Sequence, residues 1–469
     1  MLVPCKNYTL SFVMFLLILL LNVGYSKAQL PTVKLSTQNV LSSEFTDCSF
    51  TLDDTISLKA DIRFRGASSL SKQKKSFAVK LKYQDGEKCD TSLLGMRKDN
   101  YWILDAMAID VARMRNRVSM DLWNDFSRAS YINKNESDAC NGTQGRFVEL
   151  YLNDVYWGIY CLSERLDRKQ LKLKKVDENG VKGILYKSKS WSTLYSKDSN
   201  YYVFNNDIEQ WNGWEISYPN INDDEPIDWQ PLADIIHWLS YSSAQEIAEE
   251  LNSKIDLPVW QDYFLMMEFI CAEDNICKNQ YVYFYNARKE NRMLGVAPWD
   301  MDHSWGRDYS GSITSKTKAN FNLITNYNRI GKLLEEHENL LEKRHTERYA
   351  ELRATFFNAD GLKNRFSRYF NLFRQSGAAQ REIERWSGTD GIDLDFEKEQ
   401  QYINDWIDER IVFMDSKYNY STLGIAVQHS NDLHNHLIYN MQGQIIGKKT
   451  VFSTLPHGTY ILNGKKYIK

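Results

Sequence analysis

The spacing of apolar residues changes along this 469-residue chain, and that change constrains its fold more than any other feature. In residues 57–83 and 147–162 the spacing is that of half-buried strands. Ile62 and Phe64 alternate with Asp61, Arg63 and Arg65, and Phe77, Val79 and Leu81 form a second alternating run. Asn153-Asp154, between two runs rich in aromatic and β-branched residues, suits a tight hairpin turn. From residue 231 onward the spacing becomes three to four. Residues 231–252, 258–272, 332–358, 360–375 and 396–416 read as helices, the last with Ile403, Trp406, Ile407 and Ile411 on one stripe. One earlier helix, 110–127, carries Val111, Met114, Val118, Leu122 and Phe126 on one face. A hairpin interrupts the helical half, with strands at 280–285 and 293–297 around a polar turn, and 183–187 reads as a further strand. A β-rich half with one helix, followed by a helical half, predicts an α+β fold with two lobes.

The two ends read differently. Lys6, an apolar run from Leu10 to Val23, and the small and polar exit Gly24 to Ala28 have the three regions of a signal peptide. This predicts cleavage after residue 28, export, and no membrane span in the remaining chain. Residues 29–56 read as an extended lead-in, 57–418 as the main domain, and 419–469 as a linker with a short β-type tail. That tail is too short to bury much core alone. The net charge of −3 gives no bulk attraction to nucleic acid, so no nucleic-acid partner is expected. Six cysteines follow Cys5. Their even number permits disulfides without fixing the pairing, and their irregular spacing without histidines argues against zinc.

The stretch 274–306 carries the chemistry. Asp274 and Asn279 form D-x-x-x-x-N; the hairpin follows, and directly after it comes Pro298-Trp299-Asp300-Met301-Asp302. Phosphoryl transfer needs a carboxylate to take or orient a hydroxyl proton, and an amide oxygen and a carboxylate to hold magnesium on nucleotide phosphates. Protein kinases present these groups in this order around a hairpin. The pattern casts Asp274 as the base and Asn279 and Asp300 as ligands of Mg2+ or Mn2+, with Asp302 a second ligand or an orienting group. Either half alone is common, since Asp-x-Asp in turns usually caps backbone N–H groups. Their conjunction across a hairpin is what points to phosphoryl transfer.

The first half offers groups for ATP. Gly66-Ala67-Ser68-Ser69 is a small-residue turn after a strand, where backbone N–H groups can face phosphate. Arg65, Lys74 and Lys75 flank it, with Lys80 a competing phosphate lysine. The alternative for these cations is a solvated edge that discourages strand pairing. Arg115 and Asn116 lie off the apolar stripe of the early helix. Glu149 shares a face with aromatics, and Glu164 ends the second strand of its hairpin. Such charges are either ion-paired or at the edge of a site. His303, beside Asp302, suggests a base but equally a simple hydrogen-bonding residue. No Ser-His-Asp spacing, HExxH or GxSxG is present.

Taken in order, these segments resemble the spore-coat protein H (CotH) kinase family of atypical, secreted-type protein kinases. Arg65-Gly66-Ala67-Ser68-Ser69 with Lys74-Lys75-Ser76-Phe77 is similar to the family's R-G-N-S-S…K-K-S-[YF], with Ala67 in place of Asn. Residues 99–104 resemble D-x-x-W-x-L. Asp110 with Met114-Arg115-Asn116 resembles D-x-x-x-M-R-N. Residues 148–160 with Glu164 resemble V-E-L-Y-L-N-x-x-Y-W-G-x-Y…E, and residues 298–306 resemble P-W-D-x-D…[FW]-G. Before Asp274 stands Cys271-Ala272-Glu273, where many relatives have Gly-Asn-x. The resemblance implies a kinase-like fold, Asp274 as catalytic residue, Asp300 as metal ligand, and transfer of an ATP phosphoryl group to Ser or Thr of a protein. The tail, with Ile438-Tyr439-Asn440 and Asn463-Gly464-Lys465-Lys466, resembles the sorting domains of secreted Bacteroidetes proteins. Two other functions use the same residues. One is a surface or adhesion protein on this scaffold without chemistry. The other is a glycan hydrolase working through Asp274 with Asp300 or Asp302.

Overall fold

The computed structural model describes residues 29–191, 204–220, 225–289, 292–323 and 328–421, together with four short strands of the tail. The signal-like segment 1–28 lies outside the described residues. Strands β1 (Thr32–Ser36), β2 (Thr46–Leu52), β3 (Ile56–Arg65) and β4 (Ser76–Lys82) begin a barrel. A small ribbon, β5 (Thr91–Ser92) with β6 (Lys98–Asp99), precedes β7 (Tyr101–Asp105), and β8 (Gly145–Leu152) and β9 (Val155–Ser163) follow helix α1 (Arg115–Phe126). The barrel closes in the order β1-β2-β3-β4-β7-β9-β8. Residues 29–56, read as a lead-in, are therefore part of the wall: β1 pairs in parallel with β8, Thr32 opposite Glu149, and closes it. The alternating residues fill the interior, among them Val33, Phe50, Ile62, Val79, Trp102, Leu150 and Leu162. Asn153 and Asp154 form the predicted tight turn, at φ 50° and 63°, where their short polar side chains tolerate left-handed backbone.

A second, antiparallel sheet has the order β11 (Gln210–Trp211), β12 (Trp214–Tyr218), β10 (Ile184–Ser188), β13 (Gln280–Phe284), β14 (Gly295–Pro298). The predicted helix 231–252 is two helices, α2 (Gln230–Tyr241) and α3 (Ala244–Lys254). The break is a capping box, in which Ser243 Oγ accepts from the Glu246 N–H and the Glu246 carboxylate accepts from the Ser243 N–H. Helix α4 (Leu257–Ile270) is apolar nearly all round and buried at the centre of the larger core. The pattern over 332–358 also divides, into α5 (Arg329–Glu336) and α6 (His345–Thr355). Helices α7 (Ala359–Gln375) and α9 (Phe396–Lys417) match expectation, whereas α8 (Ala378–Trp386) was not predicted. The fold is thus α+β.

The six cysteine thiols after Cys5 are free, and all but Cys140 are buried. The tail strands β15 (Leu437–Tyr439), β16 (Ile445–Lys448), β17 (Thr459–Leu462) and β18 (Lys465–Ile468) form an antiparallel sheet in the order β16-β15-β17-β18. Among the described residues no helix is long and apolar enough to cross a membrane.

Candidate functional site

The β13–β14 hairpin positions the site. Gln280 pairs with Pro298, so Asn279 and Trp299 sit side by side at its open end, with Asp300 next. Asn275, fully buried, donates from Nδ2 to the carbonyls of Asn279 (3.0 Å) and Trp299 (2.7 Å) and pins the two ends together. Asn279 and Asp300 both have left-handed backbone, φ 51° and 59°, which Asn and Asp enter more readily than other side chains. Upstream, Cys271 ends α4 at φ 55°, and the single turn Glu273–Asn275 presents Asp274.

These residues line one cleft of about 810 Å³, within the usual range for a small-molecule site of roughly 300–1,000 Å³. Asp274, Asn279, Asp300 and Asp302 contribute from the hairpin side. Arg65, Gly66, Ser68 and Ser69 contribute from the loop after β3, and Asp105 and Asn116 from the end of β7 and from α1. Arg65 lies 5.7 Å from the Trp299 ring centroid and Lys187 5.8 Å, so two cations flank this aromatic wall.

Asp274 Oδ2 receives His303 Nδ1 at 3.0 Å and Lys278 Nζ at 3.3 Å, while Oδ1 accepts no hydrogen bond among the described residues. Burial raises the Asp274 carboxyl, but His303 and Lys278 outweigh it and hold it below the usual range. On the other side of the imidazole, His303 Nε2 is 3.4 Å from Asp302 Oδ1. Burial works against charge on His303, yet the surrounding carboxylates of Asp302, Asp274 and Asp300 push it up to about 9. Asp302 moves upward through burial and the repulsion of Asp300, Asp105 and Asp110, against the pull of His303. Asp105 is raised too, by burial and by Asp300. Asn116 joins the two sides: Nδ2 donates to Asp105 Oδ2 (3.3 Å), and Oδ1 accepts from the Met301 N–H (3.1 Å).

Among the described residues no three His, Cys, Asp or Glu side chains form a metal cage. A nucleotide-bound magnesium does not require one, because it takes one or two carboxylates and completes its shell with phosphate and water. Asn279 with Asp300 and Asp302 fits that demand. Asp302 Oδ1 is buried and accepts no hydrogen bond among the described residues, and the carboxylates around it repel one another, which a divalent cation would relieve.

Six of the residues proposed from the sequence for the nucleotide lie outside the cleft lining. Lys74, predicted to reach phosphate, is buried and donates to Glu382 (2.7 Å) and to the Ile159 carbonyl (2.6 Å). Lys75 donates to the Leu70 carbonyl at 2.5 Å. Arg115, with no exposed surface, pairs with Asp110 (2.7 Å) and Glu399 (2.5 Å) and donates to the carbonyls of Ser304 and Trp305. It thereby anchors the loop that carries Asp300 and Asp302. Glu149 takes both prongs of Arg381, at 2.8 Å each, and Glu164 caps the N–H groups of Arg97 and Gln144. Lys80 turns to Phe45, 4.3 Å from its ring centroid.

Conversely, Asp105, Asn116 and His303 belong to the site without having been assigned to it. Asp105 directly follows the strand-like Trp102-Ile103-Leu104, and Asn116 lies beside Arg115 in the segment resembling M-R-N. Both signals were present in the sequence, but only the folded chain brings them to Asp300.

Comparison with known proteins agrees with these segments. A family model described as CotH kinase protein matches residues 62–414. Inner spore coat protein H of Bacillus subtilis (strain 168) is 23% identical over 283 residues, which cover 60% of this chain and 68% of that protein.

Proposed function

Since the chain belongs to the CotH kinase protein family, we propose that its cleft transfers the γ-phosphoryl group of ATP to Ser or Thr hydroxyls of a protein, with the barrel and the helical body acting as the two lobes of a kinase-like fold. The observation that carries this reading is the hairpin end, which holds Asn279 and Asp300 together in the cleft that Asp274 lines. Bound ATP would supply the phosphoryl group, and Mg2+ or Mn2+ the counter-charge on its phosphates. Asn279, Asp300 and Asp302 are the side chains to hold that cation. Arg65 and the backbone N–H groups of Gly66, Ser68 and Ser69, in the loop that lines the same cleft, would be the groups to meet the phosphates. Asp274, ionised and with Oδ1 free, orients the acceptor hydroxyl and takes its proton.

The signal-like segment 1–28 supports an exported protein, which N-terminal sequencing of the fractionated product tests. A mature end near Gln29 is expected, and a cytoplasmic species retaining Met1 would remove export. For the chemistry, titration calorimetry of the purified protein with ATP and magnesium or manganese is decisive. Metal-dependent binding is expected; no binding would leave a surface or adhesion protein on the same scaffold.

A further inference from the structure

We propose that His303 is a positioning residue for Asp274, tethering one carboxylate oxygen so that the other faces the acceptor hydroxyl. The inference rests on the phosphotransfer reading. A carboxylate turns readily about its last torsion, which is broad and two-fold. Here Oδ2 is taken by His303 Nδ1 at 3.0 Å, with Lys278 adding a second contact at 3.3 Å, and among the described residues none donates to Oδ1.

The imidazole is itself held. Nε2 faces Asp302 Oδ1 at 3.4 Å, so both ring nitrogens are directed at carboxylates. The backbone that carries it is anchored on both sides. Ser304 Oγ donates to the Met301 carbonyl (2.6 Å), the Trp305 N–H donates to the Ile270 carbonyl (2.8 Å), and Arg115 donates to the carbonyls of Ser304 and Trp305. The ring therefore lies between Asp274 and Asp302, one of the carboxylates proposed to hold the cation. Because Nδ1 is held on Asp274 Oδ2, the imidazole serves to orient that carboxylate and is not itself the base.

The test uses the full mature chain, with transfer from labelled ATP to a Ser-rich peptide. His303→Phe keeps a ring and loses both donors; His303→Asn keeps an N–H near the position of Nδ1. His303→Phe is expected to lower kcat about 10- to 100-fold, the usual cost of losing an orienting partner, with KM for ATP and the ATP Kd changed less than about twofold. His303→Asn should recover most of that loss. In an Asp274→Asn background His303→Phe should cost nothing further, because the oxygen it fixes no longer acts. Wild-type kcat in His303→Phe, an equal loss in both backgrounds, or a loss of ATP binding matching the loss of kcat would each overturn the role. If His303→Phe does not fold, His303→Gln, whose donor has a different reach, takes its place in the same cycle. A wild-type chain that binds ATP and metal but transfers phosphate to no acceptor would overturn the phosphotransfer reading itself. An active wild type with a fully active His303→Phe would overturn the tether alone.

Discussion

Two buried groups of charges in this molecule have opposite fates. In the first, Glu382 of α8 accepts from Lys74 Nζ (2.7 Å), Arg113 Nε (2.8 Å) and the Ile159 N–H (2.7 Å), and every member is nearly or fully buried. Every charge in it has a partner of opposite sign. Burial raises the Glu382 carboxyl, but two cations overcome that and hold it below the usual range, while burial pushes Lys74 down to about 7 despite Glu382. In the second, Asp105, Asp300 and Asp302 face one another across the cleft; Asp300 has no ion pair among the described residues, and burial with mutual repulsion raises the other two. Among the described residues the cation beside Asp302 is His303, and that imidazole is shared with Asp274. Matched charge marks the joint between barrel and helices, and unmatched charge marks the place where a cation and a substrate belong.

The comparison breaks most directly at the cleft. Asp274→Asn should reduce phosphate transfer by about 10²- to 10⁴-fold, the usual cost of losing a general base, while ATP binding and urea stability stay near wild type. Asp300→Asn should lose metal-dependent ATP binding as well as transfer. Transfer at the wild-type rate by Asp274→Asn would remove it from the mechanism. A stability loss as large as that expected of Glu382→Ala would place the residue with the architecture instead.

The matched group should respond the other way. Glu382→Ala leaves Lys74 and Arg113 buried without their partner, which typically costs about 3–5 kcal/mol. Urea unfolding should register that loss, and activity per folded molecule should fall far less than in Asp274→Asn. Gly158 guards the same joint. At φ 119° it admits no side chain easily, and a Cβ there would lie 2.4 Å from Glu382 Oε2. Gly158→Ala should therefore destabilise by about 1–3 kcal/mol through strained backbone and a displaced carboxylate.

Acid sharpens the contrast further. The Glu382 carboxyl is held below its ordinary pKa, so its contribution to stability is present above the unfolded-state value near 4.5 and is lost as pH falls through the lower folded-state value. The stability gap between wild type and Glu382→Gln should thus be widest near neutral pH and narrow as pH falls from about 5 toward 3. A gap that does not change over that range would mean Glu382 is not ionised in the folded protein.

Why the joint was harder to read than the cleft follows from sequence distance. Asp274, Asn279 and Asp300 lie within one local unit, a turn and a hairpin, whose strands and spacing the chain displays directly. Lys74 meets Glu382 across 308 residues, and Glu382 sits in a nine-residue helix on the same face as Ala378, Ala379 and Trp386, too short to stand out as a periodic segment. The Lys74-Lys75 pair suggested phosphate binding for the same reason, since nothing local reveals a partner so far along the chain. Strand β1 was passed over because Val33 and Leu35 are only one alternation, and its role depends on pairing with β8. The break between α2 and α3 differs, because Ser243 followed by Glu246 is a readable capping signature within a continuous apolar pattern. Asp105 and Asn116 entered the site only through tertiary closure onto the Asp300–Asp302 loop.

The smallest expected effect falls between two neighbouring lysines and tests the comparison at its finest grain. Lys74 belongs to the matched group, so its replacement should appear in stability. Lys75 is half-buried, and its ammonium donates to the Leu70 carbonyl, in the loop whose residues from Gly66 to Lys72 line the cleft. A hydrogen bond of this kind contributes about 0.5–1 kcal/mol. Lys75→Ala should loosen the loop and weaken ATP binding about two- to fivefold, as that energy implies, with little change in the urea midpoint. A loss of 100-fold or more would instead mean that Lys75 leaves Leu70 and pairs with phosphate directly, restoring it to the nucleotide site. Unchanged ATP binding would mean that the loop's shape is held by Ser68, Ser69 and their own backbone bonds, and Lys75 would then belong to neither group.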